Sequence, residues 1–143
     1  MKIIFVCLGN ICRSPMAEFV MKDMVERAGL TDQFEIISRA TSDEEEGNGI
    51  HYGTRKIFDK YSIPYERRFA TVITKGEYDW ADIVVCMEDS NVRNLKWLVG
   101  RDDKTVKLLD RNVADPYYTG NFEDTYRDVV EGCKKLLAKH KTE

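Results

Sequence analysis

Residues 1–20 read MKIIFVCLGNICRSPMAEFV, and the order of residue types in them decides the architecture. Residues 2–7 (KIIFVC) are apolar and β-branched without strict alternation, the pattern of a strand buried on both faces. Residues 8–13 form a loop. Ser14 and Pro15 mark a helix start, with Ser14 expected as N-cap and Pro15 at the first helical position. That helix runs to about Ala28, carries Met16, Phe19, Val20, Met24 and Val25 on one side, and is closed by Gly29. A strand that feeds a helix through a short loop is half of a βαβ unit.

The rest of the chain repeats the alternation. Strands are expected at 34–38, at 83–87 and at 106–109. Helices are expected at 53–61, at 89–99 and at 122–139, the last with Tyr126, Val129, Val130, Cys133, Leu136 and Leu137 at helical spacing. Residues 40–49 read as a polar, acidic loop, and 111–121 as a long loop carrying Asp115-Pro116-Tyr117-Tyr118. Strands alternating with helices predict an α/β fold with a parallel sheet, in one domain spanning 1–143. Ligands of such sheets bind outside the carboxyl ends of the strands. Cys7 and the 111–121 loop both follow strand ends, so both are expected at one crevice.

Composition narrows the function. The chain has 143 residues, 43% hydrophobic and 33% charged, with a formal net charge of -3. The acidic balance gives no footprint for nucleic acid. The apolar run after Lys2 is too short for a signal peptide, and no stretch approaches the ~20 apolar residues of a membrane span. A cytoplasmic location is expected. Four cysteines (Cys7, Cys12, Cys86 and Cys133) and two histidines (His51 and His140) fit no zinc spacing. Reduced thiols are expected, and no metal.

The loop Cys7-Leu8-Gly9-Asn10-Ile11-Cys12-Arg13-Ser14 has the parts of an anion site. Successive backbone N–H groups and a helix N-terminus attract negative charge. Gly9 opens backbone conformations closed to other residues, and Asn10 tolerates left-handed geometry. Arg13 offers a planar fork for two phosphate oxygens, and Ser14 can donate to a sulfur. The same field favours a thiolate at Cys7, which suggests attack on phosphorus through a phosphocysteine. The competing reading of Cys7 is a core cysteine that ends a strand. Asp115, taken alone, is either an acid or a turn residue before proline. Tyr117 and Tyr118 either pack in the core or wall a slot for a substrate ring.

Together, VCLGNICRSPMAE, the late Asp115-Pro116-Tyr117-Tyr118, Cys86-Met87-Glu88-Asp89-Ser90-Asn91 and Ser38-Arg39-Ala40-Thr41-Ser42 resemble the low-molecular-weight protein tyrosine phosphatase family over essentially the whole chain. The resemblance implies a three-layer domain with a central four-stranded parallel sheet and helices on both faces. It implies hydrolysis of protein phosphotyrosine with Cys7 as nucleophile, Arg13 as phosphate clamp and Asp115 as general acid. Leu8, Gly9, Asn10, Ile11, Cys12, Arg13 and Ser14 would bind the phosphate. Ser14 would also stabilise the thiolate, Asn10 would hold the loop, and Cys12 would pair with Cys7 under oxidation. Ile11, Tyr117, Tyr118, His51 and Tyr52 are expected around the substrate slot. The implied partners are phosphotyrosine proteins, a cognate tyrosine kinase, and inorganic phosphate as product, with neither nucleic acid nor membrane. No cofactor is implied, and a monomer or weak dimer is expected.

Two stretches depart from the family pattern. The loop after strand two is acidic (Asp43-Glu44-Glu45-Glu46) where relatives carry aromatic or proline-rich residues. It reads either as a solvated loop or as a selector for basic peptides. Arg68 stands where a histidine tends to brace the loop. Three other readings share the motifs. Protein-arginine phosphatases carry threonine where this chain has Ile11. Arsenate reductases need further thiols after strand three, where only Cys86 lies. A catalytically silent phosphate-binding module would have no use for the full set of reactive residues.

Overall fold

The computed structural model describes residues 1–142. Four strands form one parallel sheet in the order β2-β1-β3-β4: β1 Lys2–Cys7, β2 Glu35–Ala40, β3 Ile83–Cys86 and β4 Thr105–Lys107. β1 is interior, pairing Cys7 with Ala40 on one side and Val6 with Cys86 on the other. Its apolar run is continuous because both faces are covered. Ile3, Phe5 and Cys7 join a core with α1 (Arg13–Arg27), α2 (Tyr52–Lys60) and α6 (Phe122–His140). Ile4 and Val6 face a second core with α3 (Lys75–Trp80) and α4 (Asp89–Val99). The three-layer α/β expectation holds, and the alternation along β1 decides that Cys7 belongs to the α1 side.

Several boundaries differ from the sequence reading. The first helix begins at Arg13 with Cys12 at the N-cap, so Ser14 and Pro15 already lie inside it. Ser14 does not cap because its hydroxyl is turned to Cys7. β4 ends at Lys107; Leu108 still donates its N–H to the Cys86 carbonyl at 2.9 Å, and the side chains of Leu108 and Leu109 pack in the core. α3 is a helix where none was expected, although Thr74 and Glu77 form a reciprocal capping box, a signal present in the sequence. The Asp115-Pro116 segment is a short turn of helix, α5 (Pro116–Thr119), rather than open loop.

Gly132 in α6 is needed for a close approach. A Cβ there would fall 2.3 Å from Leu108 Cγ, so α6 lies directly against the segment that leads to Asp115. All four cysteines are free, and no helix among the described residues is long and apolar enough to cross a membrane.

Candidate active site

β1 delivers Cys7 to the carboxyl edge of the sheet, where its side chain is almost fully buried. The sulfur sits inside a ring of donors. Ser14 Oγ lies 3.0 Å from Sγ, and the N–H groups of Asn10 and Ser14 donate to it at 3.3 and 3.4 Å. Such a donor set suits an anionic acceptor.

The loop turns its carbonyls away from this centre. Those of Cys7, Leu8 and Ile11 accept from the N–H groups of Thr41, Ser42 and His51 at 3.0, 3.0 and 2.8 Å. The Cys12 carbonyl accepts from Met16 N–H and from Thr54 Oγ1. The N–H groups of Gly9, Ile11 and Cys12 find no acceptor among the described residues. A concave loop with spare N–H donors at a helix start fits an anion.

Asn10 keeps the loop in this shape and is its left-handed residue, with φ 59°. Gly9 is not left-handed; a Cβ there would press on the Glu45 side chain, 3.1 Å from its Cγ. The Asn10 amide nitrogen donates to Ser14 Oγ at 2.7 Å and Ser38 Oγ at 3.1 Å. Its carbonyl oxygen accepts from Thr71 N–H and from the Arg68 guanidinium, which also reaches the Asn10 backbone carbonyl at 2.9 Å. Arg68 therefore braces the loop. Burial is the largest influence on Arg68 and draws its pKa down, while the charges of Glu18 and Cys7 draw it back. Ser38 continues the network to the buried carboxylate of Glu18 at 2.5 Å, which Lys22 neutralises from outside.

Arg13 is buried and held by two carboxylates. One Nη donates to Glu88 and to the Val113 carbonyl, each at 3.2 Å, and the other to Asp115 at 3.3 Å. Burial acts against its charge, but Glu88, Cys7 and Asp115 together raise its pKa. Guanidinium carries five N–H donors, so two remain without a partner among the described residues. Glu88 was not expected in the site. Burial pushes its carboxyl up, yet the hydrogen bonds from Arg13 and Ser90 outweigh this and hold it below the usual carboxylate range. The available signal was its place just past the end of β3, the strand beside Cys7.

Asp115 caps α5, accepting from Tyr117 N–H at 3.0 Å with one oxygen while the other meets Arg13. A cavity of about 450 Å³ opens here, lined by the loop from Cys7 to Arg13 together with Asp115, Tyr117, Tyr118, Glu44 and Glu45. Tyr117 and Tyr118 are each 83% exposed and stand edge to face. Neither packs in the core.

Three expected residues lie elsewhere. Ser14 is fully buried behind the sulfur and does not line the cavity. His51 is also absent from the lining. It caps α2 through Nδ1, stacks on Phe122 at 5.2 Å, and supports the loop only through its backbone N–H on Ile11. Tyr52 is exposed on α2 beside Arg55 and Lys56. The acidic loop instead supplies Glu44 and Glu45, with Glu45 fixed by Asn48 at 2.7 Å.

A family model described as low molecular weight phosphotyrosine protein phosphatase matches residues 2–143. The chain is 35% identical, over 95% of its length and 93% of the relative's, to the low molecular weight protein-tyrosine-phosphatase YfkJ of Bacillus subtilis. It is 39% identical, over 93% of its length and 89% of the relative's, to PtpA of Staphylococcus epidermidis, which bears the same family title. Among solved structures, the low molecular weight protein tyrosine phosphatase of Streptococcus pyogenes superposes with a TM-score of 0.93 at 43% identity. That match covers 99% of this chain and 94% of the other.

Proposed function

The chain belongs to the low molecular weight phosphotyrosine protein phosphatase family, and from that membership we propose that it hydrolyses phosphotyrosine in proteins with Cys7, Arg13 and Asp115 as its reacting groups. The observation that carries the reading is the sulfur of Cys7 ringed by donors, in a loop with spare N–H groups beside Arg13. The thiolate attacks phosphorus, forming an S–P bond as the P–O bond to the ring breaks. Asp115, as the carboxylic acid, gives its proton to the departing phenolate. Loop N–H groups and Arg13 hold the equatorial oxygens as charge spreads over them. Asp115 then takes a proton from water, water attacks phosphorus, and the S–P bond breaks to release inorganic phosphate. Ser14 donates to the sulfur as it leaves.

Tyr117, Tyr118 and Ile11 supply apolar faces for the phenyl ring. Glu44 and Glu45 add negative charge where the flanking peptide would lie, which favours basic neighbours. We assign the enzyme to the cytoplasm, opposite a tyrosine kinase. Cys12 serves as a redox partner. Its thiol is pushed up to about 12, first by burial and then by the charges of Cys7 and Asp115, so peroxide reacts at Cys7. The sulfenic acid formed condenses with the Cys12 thiol, giving a disulfide and water.

The test is kcat/KM on matched phosphotyrosine, phosphoserine and phosphoarginine peptides, each with basic or acidic flanks. Phosphotyrosine is expected to lead by ~10²-fold or more, because only it fills the aromatic walls while reaching the loop. Basic flanks are expected to gain a few-fold, roughly, and to lose that gain at high salt. Preference for phosphoarginine would overturn the reading of Ile11 and the slot. Absence of turnover on all three would leave a binding module.

Arg68 is open to its own measurement. Arg68→Ala is expected to slow alkylation of Cys7 by iodoacetate near pH 6 and to lower kcat/KM by about 10-fold, since Asn10 loses two hydrogen bonds and the sulfur a nearby cation. Unchanged alkylation would mean that the brace acts on folding alone.

A further inference from the structure

Past the bond from Leu108 N–H to the Cys86 carbonyl, the segment between β4 and α5 has no ladder, yet it must present Asp115 to the leaving group. Its last residues are held by other elements. Val113 N–H donates to the Met87 carbonyl at 2.8 Å, and the Val113 carbonyl accepts from Arg13. Ala114, immediately before Asp115, is gripped at both ends of its backbone by α6. Its N–H donates to Asp128 at 3.0 Å, and its carbonyl accepts from Thr125 Oγ1 at 2.8 Å.

Both α6 groups are themselves fixed. Thr125 is fully buried, so its hydroxyl has no water to turn to. The second oxygen of Asp128 accepts from Arg111 at 3.0 Å, and the same guanidinium reaches Glu131 at 3.1 Å. Gly132 lets α6 lie against Leu108, one turn beyond this grip. Arg111 belongs to the segment being held, so helix and segment are tied at three places: Leu108, Arg111 and Ala114.

We propose that Thr125 and Asp128 are positioning residues for the general acid: by clamping the Ala114 peptide, with Arg111 securing Asp128, they hold the Asp115 carboxyl at the leaving-group oxygen. The inference rests on the reading of Asp115 as that acid. Its physical basis is the steep dependence of proton transfer on placement, in which ~1 Å of misplacement costs about 10²-fold. A backbone carbonyl deprived of its buried donor would move to find another.

A positioning role leaves a signature that a loss of folding does not. Proton donation matters most when the departing phenol is a strong base and little when it leaves unaided. The experiment measures kcat/KM for aryl phosphates from dinitrophenyl to unsubstituted phenyl, in the full chain and in Thr125→Val, Thr125→Ser, Asp128→Asn and Arg111→Gln. Thr125→Val and Asp128→Asn are expected to lose ~10-fold or more on phenyl phosphate while changing by less than about twofold on the dinitrophenyl ester. Thr125→Ser restores the hydroxyl and the rate. Arg111→Gln, at a half-exposed site that tolerates change, shows the same pattern more weakly.

Asp115→Asn is the reference. If it steepens the leaving-group dependence and the α6 variants do not, the clamp is overturned and the acid stands. If Asp115→Asn leaves the dependence untouched, the acid assignment itself falls. A uniform loss across all esters in the α6 variants would overturn positioning in favour of a general structural role.

Discussion

Cys7→Ser is expected to abolish turnover, with kcat falling on the order of 10⁴-fold or more, the scale of losing an activated nucleophile. A serine oxygen would inherit the same donors: Ser14 Oγ and the N–H groups of Asn10 and Ser14. Those donors stabilise an anion, but they contain no base to make one. A thiol ionises within reach of neutral pH and a hydroxyl does not. The variant should still bind phosphate and phosphotyrosine peptides, because the loop N–H groups and Arg13 are untouched. Rapid-quench and steady-state assays on a phosphotyrosine peptide, beside binding by fluorescence polarisation, separate the two. Residual turnover within ~10-fold of wild type would mean that the nucleophile is another group.

Arg13→Ala carries the second large effect. The guanidinium is the cation at the base of the cavity, and removing a transition-state arginine costs about 10³–10⁵-fold in phosphoryl transfer. Stability falls as well. Arg13 stands between Glu88 and Asp115, and its loss leaves two partly buried carboxylates facing each other across an empty space. Arg13→Lys returns the charge but not the planar fork, so kcat/KM is expected to recover only in part. Thermal unfolding with and without inorganic phosphate distinguishes the contributions. Wild type should gain stability from phosphate and Arg13→Ala should gain little. Equal kcat/KM for Arg13→Lys and wild type would show that charge alone is needed, and that the bidentate geometry is not.

Cys7 and Arg13 share one loop, six residues apart, and their pairing can be read from the chain because the loop is short and its flanking elements have strong patterns. Continuous β-branched residues have one economical place, an interior strand, and the apolar spacing after Arg13 has another, a helix against that strand. Even here the register shifted. Ser14 has the composition of an N-cap, but its hydroxyl makes a sulfur contact that only the folded loop offers. His51 and Tyr52 follow the acidic loop in sequence, but Glu44 and Glu45 of that loop line the cavity, while His51 caps α2 and Tyr52 begins it.

The strand–loop–helix unit, the α/β class, and the clustering of thiol, anion-binding backbone and guanidinium in one loop are legible along the chain, because each depends on neighbours a few residues apart. Which distant groups complete the site is settled in the folded molecule. Glu88 and Asp115 reach Arg13 from 75 and 102 residues away, and Arg68 reaches Asn10 from 58. Thr125 and Asp128 of α6 hold the backbone N–H and carbonyl of Ala114, the residue before Asp115. The Arg13–Glu88 contact follows from the strand order β2-β1-β3-β4, which brings the ends of β1 and β3 together. Which strands become neighbours is a condition on the whole chain that leaves no local mark.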